Sequence, residues 1–514
     1  MDISRRNLLK MLGIAGGAAV VGAAGGYAAK GGTAAGEWSE EWRTTGYYAE
    51  VKRKAVPPAA KVYWADPDSA GSGKSWPEKV AHVFDAAGFE DCIDKGDSVA
   101  IKMHTGERMR TAQLRPDMPR AAAVRIKEAG GIPFVADTLT AYGGKTTTRA
   151  SIKNHMLTAL SHGLVPEACG CMVVPYCDGD GADQVAVKID GNQLTVALVA
   201  KLLAEADAMI ALTHYKGHGC GMMGGAIKNL GIGGASKQGK VLDHDRYVGR
   251  YDKGRIMTFD VTGCPGKAAC PVYGDNLVQN CIDWCPWGAL SFDAAGKMVA
   301  DTEICRTTCR NSLADVCTSI MGYGCKVKMT DATPLKPSSR VQAANCEIRY
   351  ADTAVAVHNC FDAGKVGYIS VAKEVCRQCD CVAYDDMPIV PNLGVFSTYD
   401  LAAVDAAATD MTTASDVIPN SLAARKGLKA GDEKWEPLNG QSPWFQVYAV
   451  EKLGHGTSKY TMEKADEPWL YPWFLTEHYE WDYSSPYRTL IPRPPDKAVT
   501  DPTAWYHDEV AAKK

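Results

Sequence analysis

Short apolar runs alternate with amphipathic segments between residues 61 and 262. Lys61–Trp64 (KVYW), Ser98–Met103 (SVAIKM), Ile132–Ala136 (IPFVA), Met172–Pro175 and Ala208–Leu212 are brief and largely apolar, the pattern of buried strands. Between them, Glu78–Ala87, Arg120–Glu128, Ser151–Gly163 and Gln193–Ala206 space apolar residues as helices do. The alternation predicts an α/β fold with a largely parallel sheet flanked by helices. It breaks at Cys264 and returns with Ala354–Gly364, Val366–Ser370 and a helix over Asp400–Asp410.

These changes of pattern divide the chain. Residues 1–36 form a signal segment and 37–60 a linker ending in Pro57-Pro58. An α/β domain runs over 61–262 and 336–412, interrupted by a cysteine-rich insert at 263–335. Residues 413–514, rich in Pro, Trp and Tyr, read as an irregular arm packed over the main body and suited to a partner interface. At 514 residues, core size is not limiting.

The N-terminal layout bears on location. Ser4-Arg5-Arg6-Asn7-Leu8-Leu9-Lys10 precedes an apolar Gly/Ala-rich run from Met11 to Ala29. A charged region followed by an apolar one is a signal layout, and the arginine pair resembles the twin-arginine export signal. That resemblance implies a protein folded before export to the periplasm or outer face of the cell membrane. Membrane association then depends on the signal being retained. No other segment reaches the roughly 18 apolar residues that span a bilayer. The net charge is −4 with no basic stripe, which argues against nucleic acid as a partner.

The stretch Lys216–Lys240 holds nine glycines in 25 residues. Such density suits a backbone that bends sharply or approaches a ligand closely. It follows the Ala208–Leu212 strand, the position a site takes on an open α/β sheet. Strand ends also place His104 and His214, and His218 follows on the loop. Histidine transfers protons or ligates metal, and Lys228, on a turn opening a helix, suits a desolvated amine or an anion contact. His104, His214, His218, Lys228 and His244 are therefore the candidate catalytic residues. Gly217, Gly224, Gly225 and Asn229 are the candidate cofactor contacts, with loop N–H groups contributing an anion-binding concavity. No G-x-G-x-x-G fingerprint is present.

The insert supplies a second chemistry. Cys281-x3-Cys285-Pro286 matches the end of a bacterial ferredoxin run, and the hairpin from Ser291 through Gly296 to Met298 continues it. Cys264, Cys270, Cys281, Cys285, Cys305, Cys309, Cys317 and Cys325 suffice for two [4Fe–4S] clusters, although their spacing is stretched. Disulfides and zinc stay open for the same residues. A third set, Cys376, Cys379 and Cys381, is C-x2-C-x-C. Thiols this close are awkward as mutual disulfides and point to a metal or cluster. A pairing of Cys376 with Cys346 or Cys360 also stays open.

The motifs Lys102-Met103-His104-Thr105-Gly106-Glu107, Asp137-Thr138, His214-Tyr215-Lys216-Gly217-His218, Gly224-Gly225-Ala226-Ile227-Lys228-Asn229 and Cys379-Asp380-Cys381 resemble domain-of-unknown-function family 362 over roughly residues 60–412. Its members are often described as Fe–S centre proteins with attached ferredoxins. The spacing His218-x9-Lys228-x15-His244 also resembles the nickel-dependent lactate racemases. That resemblance implies a lysine tethering a nickel-pincer cofactor, a nickel-binding histidine and acid/base histidines. The expectation is an exported iron–sulfur oxidoreductase. Its clusters, with an additional metal at the glycine loop, relay electrons from a redox partner protein to a small-molecule substrate. A non-catalytic electron-transfer subunit docking to a reductase and a disulfide-stabilised binding protein are the alternatives.

Overall fold

The structure, a computed structural model, describes residues 47–67, 75–141, 147–179, 181, 183–244, 255–260, 266, 269, 290–301, 326–331 and 339–465. The signal segment, the eight insert cysteines and the arm beyond 465 lie outside the described residues. The chain divides into two compact units, Met1–Ser69 with Lys74–Asp466 and Ala70–Gly73 with Glu467–Lys514; every described residue falls in the first.

An eight-stranded sheet forms the centre of that unit. In chain order its strands are β1 (Ala60–Ala65), β2 (Ser98–Lys102), β3 (Ile132–Ala136), β4 (Met172–Val174), β5 (Ala208–His214), β6 (Val366–Ala372), β7 (Gly394–Thr398) and β8 (Tyr460–Lys464). Across the sheet they run β8-β1-β7-β6-β5-β2-β3-β4, and only β7 is antiparallel to its neighbours. The strands expected at 61, 98, 132, 172, 208 and 366 are all present. Alternate residues of one strand face opposite ways. Accordingly Ala208, Ile210 and Leu212 join a core with Val80, Val83 and Ile126 of helices α1 (Trp76–Ala86) and α2 (Asp117–Glu128), whereas Met209 and Ala211 join the opposite core.

That opposite core is closed by α4 (Ala226–Gly231), α6 (Ser339–His358) and α7 (Leu401–Ala414). Two further helices, α3 (Ile152–Ser161) and α5 (Lys237–Asp243), lie next to strand ends. Local chemistry sets the helix starts. Ser75 and Glu78 form a reciprocal capping box on α1, Ser151 caps α3, and Asp400 accepts from Ala402 and Ala403 at the start of α7.

Three expectations change. Gln193–Ala206 is not one helix: Val196–Ala200 is a strand, and only Lys201–Ala204 is helical. Val196–Ala200 pairs with Gln184–Ile189, which also pairs with Ala49–Val51 from the presumed linker. The β-branched run Thr195-Val196 extends into this small sheet, and the apolar Lys201–Ala204 turn disguised it as one long helix. The region after 413 is not irregular throughout, since it carries helices Leu422–Arg425, Trp435–Asn439 and Trp444–Leu453 and the edge strand β8. β8 is mostly exposed, so it has no apolar alternation to reveal it; its ladder to β1 and the Lys61–Glu463 pair at 2.9 Å place it.

Within the insert, Leu290–Phe292 and Met298–Ala300 form the expected hairpin, with Asp293 accepting from the N–H groups of Ala295 and Lys297. An antiparallel ribbon, Arg255–Asp260 with Lys326–Asp331, brackets the segment. Among the described residues no helix is long and apolar enough to cross a membrane.

Candidate functional site: a cationic cavity at the sheet edge

From β2 the chain proceeds outward through β3 and β4, then returns to place β5 on the other side of β2. This reversal leaves a crevice beyond the carboxyl ends of β2 and β5, where open α/β sheets bind ligands. His104 lies just past β2, and His214 ends β5. A cavity of about 260 Å³ opens there, and all five candidate catalytic residues line it: His104, His214, His218, Lys228 and His244. Gly224, Gly225, Asn229, Cys379 and Cys381 also line it, whereas Gly217 and Cys376 do not.

The four histidines are not equivalent. His214 Nδ1 lies 2.9 Å from Asp380, and its Nε2 lies 2.7 Å from the carbonyl of Lys373, so both ring nitrogens are occupied. His104 Nδ1 accepts from the N–H of Gly106 at 2.8 Å. His218 Nδ1 accepts from Gly221 at 2.8 Å and Cys220 at 3.2 Å. Burial, reinforced by Arg149 at His104 and by Lys228 at His218, holds both rings far below the ordinary histidine pKa. A neutral ring that accepts at Nδ1 carries its proton on Nε2. His244 has the reverse arrangement: its Nδ1 donates to Lys240 O at 2.6 Å, leaving Nε2 as the basic nitrogen.

Cations crowd the same cavity. Lys102 pairs with Asp137 at 3.2 Å, Arg149 with Glu107 at 3.2 Å and Lys216 with Asp380 at 2.8 Å. Lys240 donates to Thr138 Oγ1 and to the carbonyl of Ala235, both at 2.6 Å. Lys228 is only 8% exposed, and its side-chain amine has no hydrogen bond or ion pair among the described residues. Burial, with Lys216 and Arg149 adding like charge, brings Lys228 down to about 7. Burial alone would raise Asp380, but His214, Lys216 and Arg110 hold it well below the usual carboxylate range. Lys102, Asp137, Arg149, Lys216 and Lys240 were absent from the candidate set. The signal for Lys102 was a lysine inside an otherwise apolar strand, and Asp137 was visible directly after β3.

Gly217, Gly225 and Asn229 also carry contacts within the chain itself. A Cβ on Gly225 would overlap the Asp405 carboxylate, and one on Gly217 would overlap the Arg377 carbonyl and approach the Trp435 ring. Asn229 is bonded at both ends of its amide, its oxygen accepting a hydrogen bond from Lys102 Nζ and its nitrogen donating to Lys102 O and Thr213 Oγ1. None of the glycines from 217 to 239 has positive φ; the left-handed residue of the loop is Met222, at φ 55°. The glycines permit close packing and do not make sharp bends.

The third cysteine set divides. Cys379 and Cys381 are joined by a disulfide despite the expectation that thiols this close would not pair. Cys376 is a free thiol 2.9 Å from Arg110 Nη2. With that disulfide reduced, His218, Cys379 and Cys381 are, among the described residues, the one His/Cys group able to hold a metal ion, with ligand atoms within 4.8 Å of one another. Three ligands suit a single ion with an open position; a [4Fe–4S] cluster requires four thiolates.

Fold and site together define an α/β protein with a buried cationic cavity at a topological switch point. The family model "Domain of unknown function (DUF362)" matches residues 99–410, and the chain belongs to this family. No curated protein matches the chain. Among solved structures, the lactate racemase apoprotein from Thermoanaerobacterium thermosaccharolyticum is similar at 14% identity and a TM-score of 0.21. The match covers 48% of this chain and 53% of the racemase, so the chain spans about half of that protein's length.

Proposed function

We propose that the protein is an exported iron–sulfur oxidoreductase whose substrate is held in the cavity at the β2/β5 crevice. The observation that carries this reading is the convergence of His104, His218, Lys228 and His244 on one cavity with the Cys379–Cys381 pair. Cys264, Cys270, Cys281, Cys285, Cys305, Cys309, Cys317 and Cys325 would hold two [4Fe–4S] clusters, which supply electrons one at a time when bound. The chain's own residues supply the rest. His104 and His218 present N–H groups to a substrate oxygen, and His244 presents the basic nitrogen that takes up a proton. His214 is a positioning residue: with Lys216 and Arg110 it fixes Asp380, and so the turn that carries Cys379 and Cys381. When the disulfide is open, Cys379, Cys381 and His218 offer a ligand set for a metal ion.

The test begins with anaerobic purification of the full chain. About eight iron and eight acid-labile sulfide per chain are expected, with both falling in Cys281→Ser/Cys285→Ser. His218→Ala should retain iron and sulfide yet lose reoxidation of the dithionite-reduced protein by substrate. Colourless wild-type protein ends the cluster reading, and normal reoxidation of His218→Ala removes the cavity from the reaction.

A further inference from the structure

The cations around the cavity differ in what already compensates them. Lys102, Arg149 and Lys216 each have a carboxylate, and Lys240 has a hydroxyl and a carbonyl. Lys228 has none of these among the described residues, although it is more than nine-tenths buried and lines the cavity. Burying an ammonium without a partner is costly unless another group compensates the charge. Among the described residues Asp137 is the one carboxylate on the cavity wall, and it already accepts from Lys102 and Thr105.

The histidine tautomers add to this imbalance. Backbone N–H groups occupy Nδ1 of His104 and of His218, so both rings turn an N–H donor away from those contacts. The wall therefore combines an uncompensated ammonium with two imidazole donors. A metal cation alone would add like charge beside Lys228, whereas an anion would hold its ammonium form.

We infer that the ligand of this cavity is a small oxyanion, a carboxylate or inorganic oxoanion, seated on Lys228 and received by the ring N–H groups of His104 and His218. This rests on the reading of the cavity as the substrate site and names the class of substrate. A charge-assisted contact of this kind typically changes affinity by a factor of about ten or more. The cavity volume of about 260 Å³ restricts the ligand to a small molecule.

Calorimetric titration of the full-length, anaerobically purified chain with acetate, inorganic phosphate and acetamide tests the inference. Acetate or phosphate should bind, acetamide should not, and Lys228→Met should weaken the oxyanion about tenfold or more. Lys228→Arg should stay within a few-fold of wild type, and Lys61→Met, at an exposed position of β1 outside the cavity lining, should be unchanged. The preferred anion separates carboxylate from tetrahedral oxoanion. Binding of neither anion, equal binding of acetamide, or full affinity in Lys228→Met overturns the proposal. If Lys228→Met does not fold, the arginine variant and acetamide still decide. Iron is assayed on the same samples. Iron-free protein that binds the anion removes the cluster reading alone, and iron-loaded protein that binds no anion removes this inference alone.

Discussion

Asp405 links the glycine loop to α7, and replacing it tests how that loop is held. It is fully buried, and its two oxygens accept from the N–H groups of Ala226 at 2.7 Å and Ile227 at 2.9 Å. Burial outweighs those two contacts and pushes its carboxyl up to about 7. Below pH 4 the carboxyl is protonated in both folded and unfolded chains. Between about pH 4 and pH 7 the unfolded chain ionises while the folded chain keeps its proton. The folded state then binds more protons, so Asp405 lowers stability as pH rises through this window. At 1.36 kcal/mol per unit, the change amounts to about 4 kcal/mol, complete just above pH 7.

Asp405→Asn removes this titration. It also turns an amide N–H₂ toward one of the two backbone donors, at a cost of about 1–3 kcal/mol. Urea unfolding of both proteins from pH 4 to pH 8 should show the variant less stable at the acid end. The gap should close or reverse toward pH 8 as the wild type loses its advantage. Other buried acids titrate equally in the two proteins and cancel in the difference. Parallel stability profiles would refute the reasoning, because they would mean that Asp405 is ionised in the folded chain throughout.

Gly225→Ala places a methyl group onto the Asp405 carboxylate, and thermal unfolding should show a loss of about 1–3 kcal/mol. Asp380→Ala strips the partner from His214, Lys216 and Arg110 together, so urea unfolding should show a loss of about 3–5 kcal/mol. Trp435→Phe removes the indole N–H donated to Tyr215 Oη at 2.9 Å; a cost of about 0.5–1.5 kcal/mol is expected in the same assay.

The central strands were legible because both faces of β2, β3 and β5 are buried, which yields short apolar runs without alternation. β8 was not, because four of its five residues are exposed and the backbone ladder decides its place. In the small sheet Gln184–Ile189 and Val196–Ala200 form a local hairpin, but its pairing with Ala49–Val51 spans more than a hundred residues, and no local pattern reports that. The histidines and Lys228 that line the cavity stand out in the sequence at strand ends and in the glycine loop. Glu107, Asp380 and Asp405 stood in the motifs without an assigned role, because each acquires one only when a distant cation or N–H group reaches it.

The glycine run also has a packing role that its sequence does not announce. Its density suggested a backbone shaped around a ligand. The groups that close on those glycines belong to the chain itself: Arg377 and Trp435 at Gly217, Tyr350 at Gly221 and Gly231, and Asp405 at Gly225. The N–H of Gly217 donates to Cys376 O at 2.8 Å, and the N–H of Glu107 to Asp380 O at 2.7 Å, so the turn bearing Cys379 and Cys381 is held from two sides. A side chain at Gly217 would push that turn away from His218, and one at Gly225 would force α4, with Lys228 on it, off α7. The glycines thus act on the chemistry through proximity. They let segments more than a hundred residues apart approach until an imidazole, the Cys379–Cys381 disulfide and the Lys228 amine share one cavity.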